Sequence, residues 1–78
     1  MSLFHKIQQT IALTLNVPAD RITESTKDED LAAWDSVGQV NLMMALEQTF
    51  GVYLEAEDFQ KLNSVGAIMA YLELQGTA

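Results

Sequence analysis

Apolar positions in the first fifteen residues fall on one side of a helix. Phe4, Ile7, Ile11 and Leu15 recur at spacings of three and four, the period of an amphipathic α-helix with one buried face. Ala12 and Leu13 are expected to widen that stripe. Ser2 is placed to cap the start, because its hydroxyl oxygen accepts an N–H that the first turn leaves unpaired. Asn16 suits the terminal position and Pro18 cannot continue the helix, so the pattern predicts a first helix over about residues 2 to 15. Residues 16 to 35 lose the periodicity. They hold Pro18, Thr23, Ser25, Thr26 and the acidic run "KDED", and read as a long connection with one helical turn near Ala19 to Ile22. Ile22, Leu31 and Trp34 are the apolar residues available to pin it to a core. A loop of about twenty residues is unusual in a small domain, and such loops are often functional.

A second helix is expected to start at Asp35 or Ser36 and to run to Phe50, where Gly51 can end it. Leu42, Leu46 and Phe50 lie at i, i+4 and i+8 with Met43 beside them, a stripe that must meet the first and last helices. Val37, Val40 and Met44 form another line at i, i+3 and i+7, on a different side of the helix. A small bundle cannot fully bury both lines, so one is expected to be partly exposed, and it begins right after Ser36. Exposed apolar strips often mark a partner surface, although the third helix or the long loop could instead cover this one. "VYLEAEDFQKL" then predicts a short extended piece, with "VYL" the one strand candidate, and a short third helix over about residues 56 to 61. Ser64 caps a last helix with the stripe Val65, Ile68, Met69 and Leu72, and Gly76 lies past its end. The fold class is all-α: a small four-helix bundle, three main helices and one short one, with a long loop between helices one and two. Residues 1–78 form a single domain.

Composition narrows the chemistry. A chain of 78 residues builds a modest core without a deep enzyme cleft. The absence of cysteine excludes a disulfide framework and a thiolate zinc site, and is compatible with a reducing compartment. Four Lys+Arg against 11 Asp+Glu give a net charge of -7. That field repels nucleic-acid backbones and anionic membranes and favours proteins with basic patches. No apolar stretch approaches membrane-spanning length, and the start, broken by Lys6, Gln8 and Gln9, contains no secretory signal. The expectation is a cytoplasmic monomer that neither inserts into membranes nor binds nucleic acid. His5, the one histidine, lies on the first helix, far in sequence from Ser36 and without a matching acid, so a Ser-His-Asp triad is not expected. "KDEDLAAWD" lacks the glycine at the sixth position of a calcium loop, so no metal site is expected. The four methionines read as core filler and docking surface.

What remains is the segment "AAWDSVGQV" at 32 to 40. Ser36 and Gln39 match the capping box S-x-x-Q, so Ser36 could be nothing but a helix cap. Asp35 is an equally good cap. If Asp35 caps, Ser36 becomes the first helical residue and its hydroxyl points outward. A phosphate on that oxygen would then sit at the positive end of the helix.

Together these elements resemble the acyl carrier protein family over nearly the whole chain. "WDSVGQVNLMMALEQTFGV" is similar to that family's attachment segment and "LNSVGAIMAYL" to its last helix. The resemblance implies that the chain is no enzyme. It implies that a phosphopantetheinyl transferase moves 4'-phosphopantetheine from coenzyme A onto Ser36, with Asp35 assisting recognition. The arm's thiol then holds acyl or aminoacyl groups for loading and processing enzymes. Val37, Val40 and Met44 would form the apolar part of the docking surface, and Glu47, Glu57 and Asp58 its charge. Leu46, Phe50, Leu54, Phe59, Leu62 and Ile68 are the acyl-pocket candidates. The chain departs from fatty-acid-synthesis members, which tend to be acidic along helix two where Gly38, Asn41 and Gln48 stand here. They also tend to have smaller residues at the positions of Phe59 and Ile68. Trp34 before the Asp-Ser pair points the same way. The resemblance is therefore to a specialised carrier of short, polar or aminoacyl groups. The competing reading is an acidic helical interaction module that carries no prosthetic group. On either reading the charge of -7 is self-repulsive. The melting temperature is expected to rise with added sodium chloride or magnesium, and a melting temperature indifferent to both would contradict this.

Overall fold

A computed structural model describes residues 2–76. Four α-helices follow one another: α1 Leu3–Leu15, α2 Ser36–Phe50, α3 Ala56–Lys61 and α4 Val65–Leu74. Helix α1 begins where Ser2 accepts the His5 N–H and ends at Asn16, whose φ of 57° places it in the left-handed region that asparagine tolerates. Gly51 does the same for α2 with φ 67°. Ser64 caps α4 by accepting the Ala67 N–H. Among the described residues "VYL" forms no strand: Tyr53 faces solvent and Leu54 turns inward.

Helix α1 packs on α2 and α4, and α3 packs on α2. Ile7, Ile11 and Leu15 of α1 meet Leu42, Met43 and Leu46 of α2 and Val65, Ile68 and Leu72 of α4 in one buried apolar cluster. Leu13 departs from its predicted place. It lies about 200° around the helix from Ile11, so it faces solvent and does not widen the buried stripe.

The long connection is ordered by what it touches. Ile22, Leu31 and Trp34 are all buried in the core cluster. One short 3-10 turn covers Ala19–Arg21, near the predicted one. A second, at Asp28–Asp30, was not expected from the acidic run. It forms because the Asp30 carboxylate accepts the Lys27 N–H at 2.9 Å, a local bond that substitutes for helix periodicity. Side chains and backbone then tie the loop to the bundle. Gln8 of α1 donates both amide hydrogens, to the Ala19 and Ile22 carbonyls, each at 2.9 Å. Asp28 N–H donates to the Asn63 carbonyl and Val65 N–H to the Thr26 carbonyl, both at 2.9 Å, which fixes the loop to the junction of α3 and α4.

The closest approach is at Gly38. A Cβ there would lie 2.2 Å from the Ala33 carbonyl oxygen and 3.0 Å from Leu15 Cδ2. Gly38 is buried, so its place on α2 is a packing requirement and not a missing charge on an outward face. Alanine is the better helix former by about 1 kcal/mol. The steric conflict is with backbone, however, so Gly38→Ala is expected to lower stability by about 2–4 kcal/mol in urea unfolding. A neutral or stabilised variant would show that the loop does not lie this close to α2.

Candidate attachment site at the start of helix two

The route of the loop decides which residue caps α2. With Ala33 held against Gly38 and Trp34 buried, Asp35 adopts extended backbone, and its Oδ1 accepts the Gly38 N–H at 2.8 Å. A carboxylate at a helix N-terminus satisfies an unpaired donor and complements the helix dipole. Of the alternatives open in the sequence, Asp35 is therefore the cap. Ser36 is the first helical residue and is exposed.

Gln39 does not complete a capping box. Its amide is engaged elsewhere, through its oxygen and both hydrogens. Its Oε1 accepts from the buried Trp34 indole N–H, while its Nε2 donates to the Phe59 carbonyl at 2.7 Å and the Leu62 carbonyl at 2.9 Å. The indole is a donor only and the carbonyls are acceptors only, which fixes the orientation of the Gln39 amide. Sequence reading missed this role. Its one sign was a glutamine on a helix face that also carries core residues.

A cleft of about 360 Å³ opens beside Ser36, lined also by Asp28, Trp34, Asp35, Gln39, Phe59, Gln60 and Asn63. Phe59, which is half-buried, is the one acyl-pocket candidate that lines it. Leu46, Leu54, Leu62 and Ile68 are buried in the apolar core, with Phe50 packed against it. On the outer side of α2, Val37 is 70% exposed, Val40 44% and Met44 47%. Neither α3 nor the loop covers this line, and it starts one residue from the serine.

The acidic residues expected to serve docking differ from one another. Glu57 is exposed. Glu47 is half-buried, and its Oε2 accepts the Leu54 N–H at 2.8 Å, closing the turn that follows α2. Asp58 is half-buried and accepts the Glu55 N–H at 3.0 Å, capping α3. These two carboxylates hold structure together as well as carrying charge. The Tyr71 hydroxyl, which donates to the Tyr53 carbonyl, is pushed above the ordinary tyrosine value, first by burial and then by the carboxylates of Asp58, Glu55 and Glu47. The histidine is remote from Ser36: His5 sits on α1, with Nδ1 3.1 Å from the Ser2 hydroxyl. Among the described residues no group of three or more His, Cys, Asp or Glu converges as a metal site.

An exposed serine behind an aspartate cap, in a four-helix chain of this order, can be set beside known proteins. The family model "Phosphopantetheine attachment site" matches residues 5–72. The chain belongs to that family. Among curated relatives it is 45% identical over 74 residues to an acyl carrier protein of Helicobacter pylori strain G27, covering 94% of each chain. It is 36% identical over 74 residues to the acyl carrier protein of Wolinella succinogenes, covering 94% of this chain and 96% of the relative. The Thermotoga maritima acyl carrier protein is 35% identical over 71 residues, 91% of this chain and 88% of that one.

Asp35 and Ser36 are adjacent but have different duties in the fold. Asp35→Ala is expected to cost about 1 kcal/mol in stability through loss of the cap. Ser36→Ala is expected to stay within about 0.5 kcal/mol of the parent protein in the same unfolding measurement. Equal losses in the two variants would mean that Ser36 shares the cap.

Proposed function

We propose that Ser36 carries 4'-phosphopantetheine and that the chain presents acyl groups on this arm to partner enzymes. The observation that carries the reading is the exposed Ser36 at the first position of α2, relieved of capping by Asp35, in a chain that belongs to the phosphopantetheine-attachment family. The site fits the group. The residue to be esterified is exposed, and the phosphate would sit at the positive end of a fifteen-residue helix. When attached, the arm supplies a thiol that holds acyl groups as thioesters, so the reactive chemistry belongs to the prosthetic group and to the partners. The protein is a carrier and not a catalyst.

Its own residues do three things in this reading. Asp35 holds the first turn of α2 so that the hydroxyl projects, and it offers a carboxylate to the transferase. Val37, Val40 and Met44 give loading and processing enzymes an apolar strip to cover. Glu57, with the negative field of the whole chain, steers basic partners. Among the described residues no helix is long and apolar enough to cross a membrane. We place the chain in the cytoplasm as a monomer, working between soluble enzymes.

Incubation with coenzyme A and a broad-specificity phosphopantetheinyl transferase is expected to add the mass of one arm, read by intact-mass spectrometry, and Ser36→Ala is expected to abolish the gain. An unchanged mass, or a gain that survives the substitution, would refute attachment at Ser36. An unchanged mass would favour an acidic interaction module that uses the same apolar strip.

A further inference from the structure

We infer that Gln39 is the bolt that closes the boundary between α2 and α3, and that it thereby restricts this carrier to short or polar cargo held at the surface cleft beside Ser36. The inference rests on the carrier reading for its cargo and on geometry alone for the bolt.

Helix α3 has six residues, and none of them is buried. Apolar burial therefore holds it only weakly, through half-buried Phe59 and through Leu62 just past its end. The last carbonyls of any helix have no partner within it. Here the Phe59 and Leu62 carbonyls, at the end of α3, both receive Gln39 Nε2 hydrogens. On its other side Gln39 is held by the indole of Trp34, itself 3% exposed. One side chain thus joins the buried end of the loop, the first turns of α2 and the end of α3. Its amide oxygen and both amide hydrogens are engaged. Leu46, Leu62 and Ile68 belong to the buried core. The cleft beside Ser36 is walled by Gln39, Gln60, Asn63 and Asp28 as well as by Trp34 and Phe59. An alkyl chain attached at Ser36 that entered the core between α2 and α3 would have to break both Gln39 bonds and leave its amide hydrogens facing hydrocarbon. A short chain, or one bearing amide or hydroxyl groups, finds polar walls in the cleft and has no need to pass Gln39.

Gln39→Glu is the informative substitution. It keeps the side chain's length and an oxygen for the Trp34 indole, but it replaces the two donated hydrogens with an acceptor facing two carbonyls. The added negative charge lies near the start of α2, where the helix dipole favours it. In the apo protein, amide hydrogen exchange in residues 58 to 62 is expected to accelerate about tenfold or more, while α1 and α4 hold their protection. Parental protection throughout α3 would show that Gln39 is no bolt. This measurement needs no arm, so it stands independently of the carrier reading. Next, saturated acyl arms of increasing length are transferred to Ser36 from acyl-coenzyme A, with loading checked by intact mass. The melting temperature of the parent protein is expected to stay level with chain length, and that of Gln39→Glu to climb with it. Gln39→Ala, which removes the amide without adding charge, is expected to climb in the same way. A parent protein that gains as steeply as the variants, or variants as level as the parent, would overturn the assignment. A chain that accepts no arm at Ser36 would instead refute the carrier reading and the cargo role together, with the exchange result still deciding the bolt.

Discussion

The position of Ser36 depends on one close contact, that between the Ala33 carbonyl and the bare Cα of Gly38. A side chain at position 38 would collide with that oxygen, so only glycine lets the loop lie down on the first turn of α2. From there the chain reaches Asp35 in extended backbone, and the carboxylate meets the Gly38 N–H at 2.8 Å. The same residue thus provides the space for the loop and the donor for the cap. A loop held farther out would leave Trp34 short of the core and the cap unmade. The exposed serine follows from this arrangement by one step along the chain.

Much of this was readable from local pattern. The buried stripes of α1 and α4, the caps at Ser2 and Ser64 and the stops at Asn16 and Gly51 are encoded within a few residues of where they act. So is the second apolar line on α2, because two lines on one helix exceed what a neighbour in a small bundle covers. The choice between Asp35 and Ser36 as cap was not readable, since both are good acceptors and the route of the loop decides between them. Gly38 looked like a lost surface charge because the carbonyl that excludes a side chain there belongs to the loop, whose path has no periodicity to read. The structural bonds of Glu47 and Asp58 were not readable beside their expected docking charge. Their partners are backbone N–H groups of Leu54 and Glu55, and any residue supplies those.

The same blindness hid the two glutamines that organise the short elements. Gln8 and Gln39 each stand on a long helix and give both amide hydrogens to carbonyls of a short element and the residue after it, Ala19 and Ile22 for the 3-10 turn and Phe59 and Leu62 for α3. Elements of three and six residues cannot propagate enough internal bonds to persist alone. Neither buries a residue of its own. A primary amide suits the task, because its two hydrogens span neighbouring terminal carbonyls and its oxygen remains for a third partner. In Gln39 that third partner is the indole of Trp34, so the loop and α3 are set by a single group.

Placing the cap one residue ahead of the serine also frees the serine side chain from the cap. A capping serine would turn its oxygen back toward the N–H groups of its own first turn and would be held there. At the next position the hydroxyl leaves the helix, yet the end of the dipole and the apolar line of Val37, Val40 and Met44 stay within reach. The one histidine does not serve that oxygen, since it sits on α1 with its Nδ1 against the Ser2 hydroxyl. An exposed alcohol beside an exposed apolar strip suits the proposal that another protein modifies that oxygen. The fold contributes position, charge and an apolar strip, and each of the three depends on the loop being pinned where Gly38 allows it.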